Sequence, residues 1–151
     1  MLEEVEHLLG LGILEPPYAI NFVLHTPTQG GQRGTPRNLV DAVERLKDLP
    51  VEPDVLRVTV TSMGATQLPL TAIGLAMGLN VRVGMEDNVL MRRGEPVQNN
   101  AQLVERTVRI AHQLDRRPAT PAEVRERFGL RGRAEGKLPE GAEAVAAERG
   151  G

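Results

Sequence analysis

The 151-residue sequence has no cysteine and no tryptophan, and aromatic side chains make up only 2% of it. Disulfides, thiolate metal sites, thiol nucleophiles and aromatic base-stacking platforms are therefore excluded. A large excess of one sign of charge is also lacking. With 18 basic and 20 acidic side chains the formal charge is -2, so no summed field draws the chain to nucleic acid or to an anionic membrane. No apolar run approaches the roughly 18–20 residues that span a bilayer. Met1 to Gly10 carries Glu3, Glu4 and Glu6 where a secretory signal carries basic residues. The expected location is the cytoplasm, without a nucleic-acid or membrane partner, and chemistry has to come from oxygen, imidazole or guanidinium groups.

What is present is an alternation of short β-branched runs with longer helical periods, the pattern of βαβ units and a parallel α/β sheet. Leu2 to Leu11 places Leu2, Val5, Leu8 and Leu9 on one helical stripe and ends at Gly10 and Gly12. Tyr18 to Leu24 is nearly all apolar, which predicts a strand buried on both faces. Thr35 followed by Pro36 starts a helix with Leu39, Val43 and Leu46 inward, closed by Pro50 and Pro53. Leu56 to Thr61 alternates apolar residues with Arg57, Thr59 and Thr61. That period admits a half-wet surface strand or one lining a polar barrel interior. A helix from Thr66 to Met77, closed by Gly78, leads to a third strand over Asn80 to Glu86. Asn99 with Gln102, and Thr120 with Glu123, each have the spacing of a capping box, predicting one helix to Leu114 and a small one ending before Gly129. Arg131 to Gly151 has almost no large apolar residue and is expected to be a disordered tail, because burial cannot offset its ordering entropy.

The informative stretch is Val81-Arg82-Val83-Gly84-Met85-Glu86-Asp87-Asn88. On a strand, Arg82, Gly84 and Glu86 share a face, and Gly84 leaves room between two opposite charges for a ligand. Burying such charges costs several kcal/mol each unless they are paired or metal-bound. Asp87 and Asn88 follow at the strand's carboxyl end, where active sites of parallel α/β folds gather. Composition leaves two readings open: a structural ion pair within a barrel, or a functional site.

From about Leu2 to Leu130 the sequence resembles the carboxyl-terminal half of the β-keto acid cleavage enzymes, the family of 3-keto-5-aminohexanoate cleavage enzyme. The stretches that carry the likeness are Asn21-Phe22-Val23-Leu24, Ser62-Met63-Gly64 with Gln67-Leu68-Pro69, Asn80 to Asn88, Asn100 to Arg106 and Ala119 to Arg125. The resemblance implies a partial (β/α)8 TIM barrel over residues 1–130, about three βα units plus a small capping helix, belonging to a zinc-dependent enzyme. It implies Glu86 as a zinc ligand, Arg82 as a catalytic arginine and Asp87 as the acid that partners it. The implied reaction joins a β-keto acid to acetyl-CoA and ends in a retro-Claisen cleavage, giving acetoacetate and a new CoA thioester. A guanidinium is effectively always protonated, so Asp87 is expected to be the working base and Arg82 the cation that holds the substrate anion. Family members form homo-oligomers, and the full-length protein is expected to do the same.

A complete barrel has about 250 residues, and the family's His-x-His zinc pair does not occur here. Catalytic zinc usually takes three protein ligands, so the chain reads as a fragment inactive alone. The rival readings are a non-catalytic half-barrel that assembles with another chain, and another metal-dependent aldolase or lyase on the same barrel. His7 and His112 fall on helices away from the strand ends, and His25 reads as a loop residue. Ala65 stands where relatives often have Arg. The glycines at 30, 31 and 34 lack the Lys-Ser/Thr of a phosphate loop and read as a substrate-covering loop. Arg92 and Arg93 read as solvated or as contacts to CoA phosphates. Arg106, Arg109, Arg116 and Arg117 read as surface charge.

Overall fold

The structure, a computed structural model, describes residues 2–26 and 31–130. The expected disordered tail, 131–151, lies outside the described residues. The chain divides into two units, 1–118 and 119–151. In the first, helix α1 (Leu2–Gly10) leads to strand β1 (Tyr18–Leu24), and helix α2 (Pro36–Glu44) leads through two short 3-10 turns to β2 (Leu56–Ser62). Helix α3 (Gln67–Ala76) then precedes β3 (Asn80–Val81). These strands form a parallel three-stranded sheet in the order β1-β2-β3. A hairpin of β4 (Leu90–Arg92) and β5 (Glu95–Pro96) follows, then α4 (Asn100–Gln113). The second unit contributes α5 (Pro121–Arg127).

Local chemistry sets these boundaries. The Thr35 hydroxyl accepts from the Asn38 amide at 3.2 Å and Pro36 opens α2. Thr120 and Glu123 form the full reciprocal box at the start of α5. At α4, Asn99 Oδ1 accepts from the Gln102 amide, but Gln102 reaches back to the amide of Gln98 rather than of Asn99. Arg116, expected at the surface, instead donates to the carbonyls of Leu75, Gly78 and Leu79 and so satisfies the end of α3.

The core lies between the sheet and the helices on one side of it. Phe22, Ala42, Leu46 and Leu49 form one buried cluster, and Leu24, Leu39, Val60 and Leu70 form another. Fully buried leucines such as Leu39 and Leu70 each contribute roughly 1.5–3 kcal/mol. Gly74 lets α3 approach closely, since a Cβ there would stand 3.3 Å from methyls of both Val60 and Val81.

Two strand expectations are corrected. β1 is buried on one face only: Phe22 and Leu24 are covered, whereas Ala19, Asn21 and Val23 are exposed. The apolar run was long enough for a two-sided strand, yet the helices of the described residues cover a single face. β3 pairs over two residues rather than seven, because the chain turns out of the sheet after Arg82. The polar residues of β2 resolve differently along its length: Thr61 is fully buried, and its hydroxyl donates to Asn21 Oδ1 at 2.9 Å.

Candidate active site

The site begins where the sheet ends. The Arg82 amide donates to the Val60 carbonyl at 2.9 Å, one step beyond the last β3 pair. Residues 85–87 then form a turn closed on the Gly84 carbonyl, which accepts from the amides of Asp87 and Asn88, each at 3.1 Å. Gln67, wholly buried at the start of α3, donates its amide to the same carbonyl at 3.3 Å. Asn88 clasps Leu90, two residues on, through its side chain, donating to the Leu90 carbonyl and accepting from the Leu90 amide. Asn100 Oδ1 accepts from the Met85 amide at 2.7 Å, and the Asp87 carbonyl accepts from the Gly64 amide at 2.7 Å. The turn is thus pinned by groups from three neighbouring segments, which fixes the direction of the side chains it carries.

Those side chains are the ones anticipated. Arg82 forms an ion pair with Glu86 through Nη2 and stands 3.5 Å from Asp87 Oδ2 through Nε. They do not meet by strand alternation, however, because Glu86 lies on the turn. At Gly84 a Cβ would make one ordinary contact, 3.6 Å to Asn100 Oδ1, so close packing does not require the glycine.

The two adjacent carboxylates differ sharply. The Glu86 side chain is 77% exposed and that of Asp87 1%. Neither Asp87 oxygen has a hydrogen-bond partner among the described residues, so this carboxylate is stabilised only by the nearby guanidinium. Burial pushes the Asp87 pKa above the ordinary carboxylate value; Arg82 opposes the shift and Glu86 adds to it. The hydrogen bond to Glu86 and the charge of Asp87 raise that of Arg82, which stays protonated. A buried, unsatisfied carboxylate with a raised pKa beside a fixed cation is suited to accepting a proton from a carbon acid whose anion the cation holds.

Glu86 and Asp87 line a cleft of about 550 Å³ with apolar walls that include Leu68, Pro69, Val89 and Leu90. Ala65 also borders it, and Arg92, Arg93 and Arg106 stand along it. Arg106, expected on the wet face of α4, is half-buried and donates to the Met91 carbonyl at 2.6 Å. The β4–β5 hairpin that creates this contact was not anticipated, since its strands are too short to show a period. Gln67 was missed as well, having no charge to mark it.

His7 and His112 are exposed on α1 and α4. His25 sits at a positive φ of 61° with its amide donating to the Gln32 carbonyl at 2.7 Å, a loop residue as expected. The glycine loop is described only from residue 31, where Gly34 allows close approach: a Cβ there would lie 2.7 Å from Thr66 Oγ1 and 2.8 Å from His25 Cβ. No group of three His, Cys, Asp or Glu side chains able to hold a metal ion occurs among the described residues. Glu86 alone is a poor match for a catalytic zinc ion, and its carboxylate is already paired with Arg82. No helix among the described residues is long and apolar enough to cross a membrane.

A parallel sheet that carries an arginine and a buried aspartate just past its strands' carboxyl ends is the arrangement of α/β proteins that bind ligands at that edge. The sequence profile of the beta-keto acid cleavage enzyme family matches residues 1–130, and the chain belongs to that family. It is 37% identical over 130 residues to a 3-keto-5-aminohexanoate cleavage enzyme of Acetoanaerobium sticklandii, covering 86% of this chain and 45% of that protein. A protein of the same name from Fusobacterium nucleatum is 35% identical, with 80% and 40% covered. A 3,5-dioxohexanoate:acetyl-CoA acetone transferase of Paraburkholderia graminis is 31% identical, with 88% and 42% covered. The chain therefore spans less than half the length of these relatives.

Proposed function

We propose that residues 1–130 supply the carboxyl-terminal part of a (β/α)8 barrel that cleaves a β-keto acid with acetyl-CoA as co-substrate. The observation that carries this reading is the buried Asp87 carboxylate, without hydrogen-bond partners among the described residues, held 3.5 Å from Arg82 at the end of a parallel sheet. In the reaction, the acetyl group of acetyl-CoA and the CH2–COO⁻ fragment of the β-keto acid leave together as acetoacetate. The remaining acyl group takes the CoA sulfur. Asp87 accepts the proton from the carbon between the ketone and the carboxylate. Arg82 holds the negative charge that develops as the proton leaves, and a fixed cation there is worth more than in water because the site is partly desolvated.

Zinc dependence is part of the proposal only through Glu86. A zinc ion would need donors that the described residues do not provide, so no step is assigned to one. Among the described residues the outer edges of β1 and β3 are unpaired, which favours completion of the sheet by further strands, since unpaired backbone edges of apolar strands invite pairing.

The test joins residues 1–130 to the amino-terminal portion of the Acetoanaerobium sticklandii relative and measures acetoacetate formed from 3-keto-5-aminohexanoate and acetyl-CoA. Turnover is expected, lost in Arg82→Ala with bound zinc retained, whereas Glu86→Ala loses the zinc. A folded hybrid without product, or full activity in Arg82→Ala, refutes the reading.

A further inference from the structure

The Asp87 cleft has a neighbour beside the hairpin. Arg92 and Arg106 line it together with Leu68 and Met91, and the same four residues line a second cleft of about 550 Å³ that also includes Arg109 and Ile110. Through these shared residues the two clefts adjoin: Glu86 and Asp87 line the first with Arg93, and Arg109 lines the second. We propose that the arginines around this shared wall, Arg92, Arg93, Arg106 and Arg109, bind the phosphate groups of a CoA thioester whose apolar arm lies along the first cleft toward Asp87.

Three observations support it. The positive charge is in excess: among the described residues, the carboxylate paired with this cluster is Glu95, which stands 3.8 Å from Arg92 with both side chains largely exposed. Burial, and the like charges of Arg92 and Arg109, hold the Arg106 pKa below its usual value, so the cluster gains when an anion arrives. The chemistry also matches, since planar guanidinium forks suit phosphate oxygens and the apolar walls of the first cleft suit a chain that carries few charges. That the ligand is a thioester rests on the retro-Claisen reading; that the arginines bind phosphate does not.

The experiment titrates the 151-residue chain at low salt with CoA, 3′,5′-ADP, ATP and phosphate-free pantetheine, reading heat or ligand depletion. CoA is expected to bind with an affinity that falls as salt rises, and 3′,5′-ADP more weakly. In the double variant Arg92→Gln/Arg109→Gln, CoA affinity is expected to drop by about tenfold or more, as for loss of charge-assisted phosphate contacts. Pantetheine binding should not change. Arg106 is left intact because it also anchors the hairpin, and the double variant Arg37→Gln/Arg125→Gln, on α2 and α5, serves as the charge-matched control. Absence of CoA binding, or equal CoA affinity in the double variant, overturns the site. Equal affinity for ATP and CoA makes it a general nucleotide site and overturns the thioester assignment. CoA binding that depends on these arginines, in a protein whose hybrid barrel forms no acetoacetate, keeps the phosphate site and removes the reaction.

Discussion

The two long strands and the short third one are built on opposite principles. β1 and β2 pair in register over seven residues each, from Tyr18 opposite Leu56 to Leu24 opposite Ser62, and their covered face is filled by Phe22, Leu24 and Val60 against helical leucines. β3 pairs over two residues and then gives way to a turn whose buried groups are Gln67, Asp87 and Asn88. Apolar burial stabilises the first region. The second holds polar groups out of water, which costs free energy unless each finds a partner. Asp87 does not, so the region that carries the chemistry is the one that the scaffold has to support.

The largest effect expected from this contrast is at Asp87. In the hybrid barrel, Asp87→Asn should lower turnover by about 10²–10⁴-fold, the usual contribution of a positioned general base. The same substitution in the chain should raise the thermal unfolding midpoint, because it removes a buried charge. The pH dependence has a definite sign. With its pKa raised in the folded state, Asp87 holds a proton there that the unfolded chain has released, so stability falls as pH rises from the ordinary carboxylate range through the raised value. The Asp87→Asn variant should lose that slope. If Asp87→Asn lowers the midpoint at neutral pH, the carboxylate is a structural partner of Arg82 and the comparison fails.

On the scaffold side, Leu39→Ala should cost about 2–5 kcal/mol in urea unfolding, since Leu39 is fully buried in the cluster with Leu24, Val60 and Leu70. Gln67→Met keeps the volume and removes the amide, and should cost only about 1–2 kcal/mol because the Gly84 carbonyl retains two backbone donors. Its effect on turnover in the hybrid barrel should exceed its effect on stability, as the turn that aims Asp87 loses one of its pins. Equal losses in both would make Gln67 an ordinary core residue.

Much of this contrast was legible in the residues. Apolar periodicity and cap chemistry located α1 to α5 and the start of each sheet strand, because Thr35, Pro36, Thr120 and Glu123 act over three or four residues and need no distant partner. The juxtaposition of Arg82 with Glu86 and Asp87 was also anticipated, though through a strand that does not continue that far. What stayed hidden depends on contacts remote in sequence. One-sided burial of β1 follows from which side the helices take, which Tyr18 to Leu24 does not encode. The hairpin strands at Leu90 to Pro96 are too short for a period of two to register. The turn that carries Asp87 is held by Gly64, Gln67 and Asn100, which lie apart in sequence and carry no charge.

Arg116 gives the smallest effect and the sharpest check on where the division between the regions lies. By charge it resembles the arginines of the two clefts, yet its guanidinium is spent on three carbonyls at the end of α3, the helix that begins with Gln67. Arg116→Met keeps much of the aliphatic stem and removes the donors, and the half-buried position lets water replace part of what is lost. A destabilisation of about 1 kcal/mol is expected in urea unfolding, with CoA affinity unchanged in the same preparation. A loss of CoA affinity without a loss of stability would move Arg116 into the phosphate cluster and extend the binding region around the carboxyl end of α3.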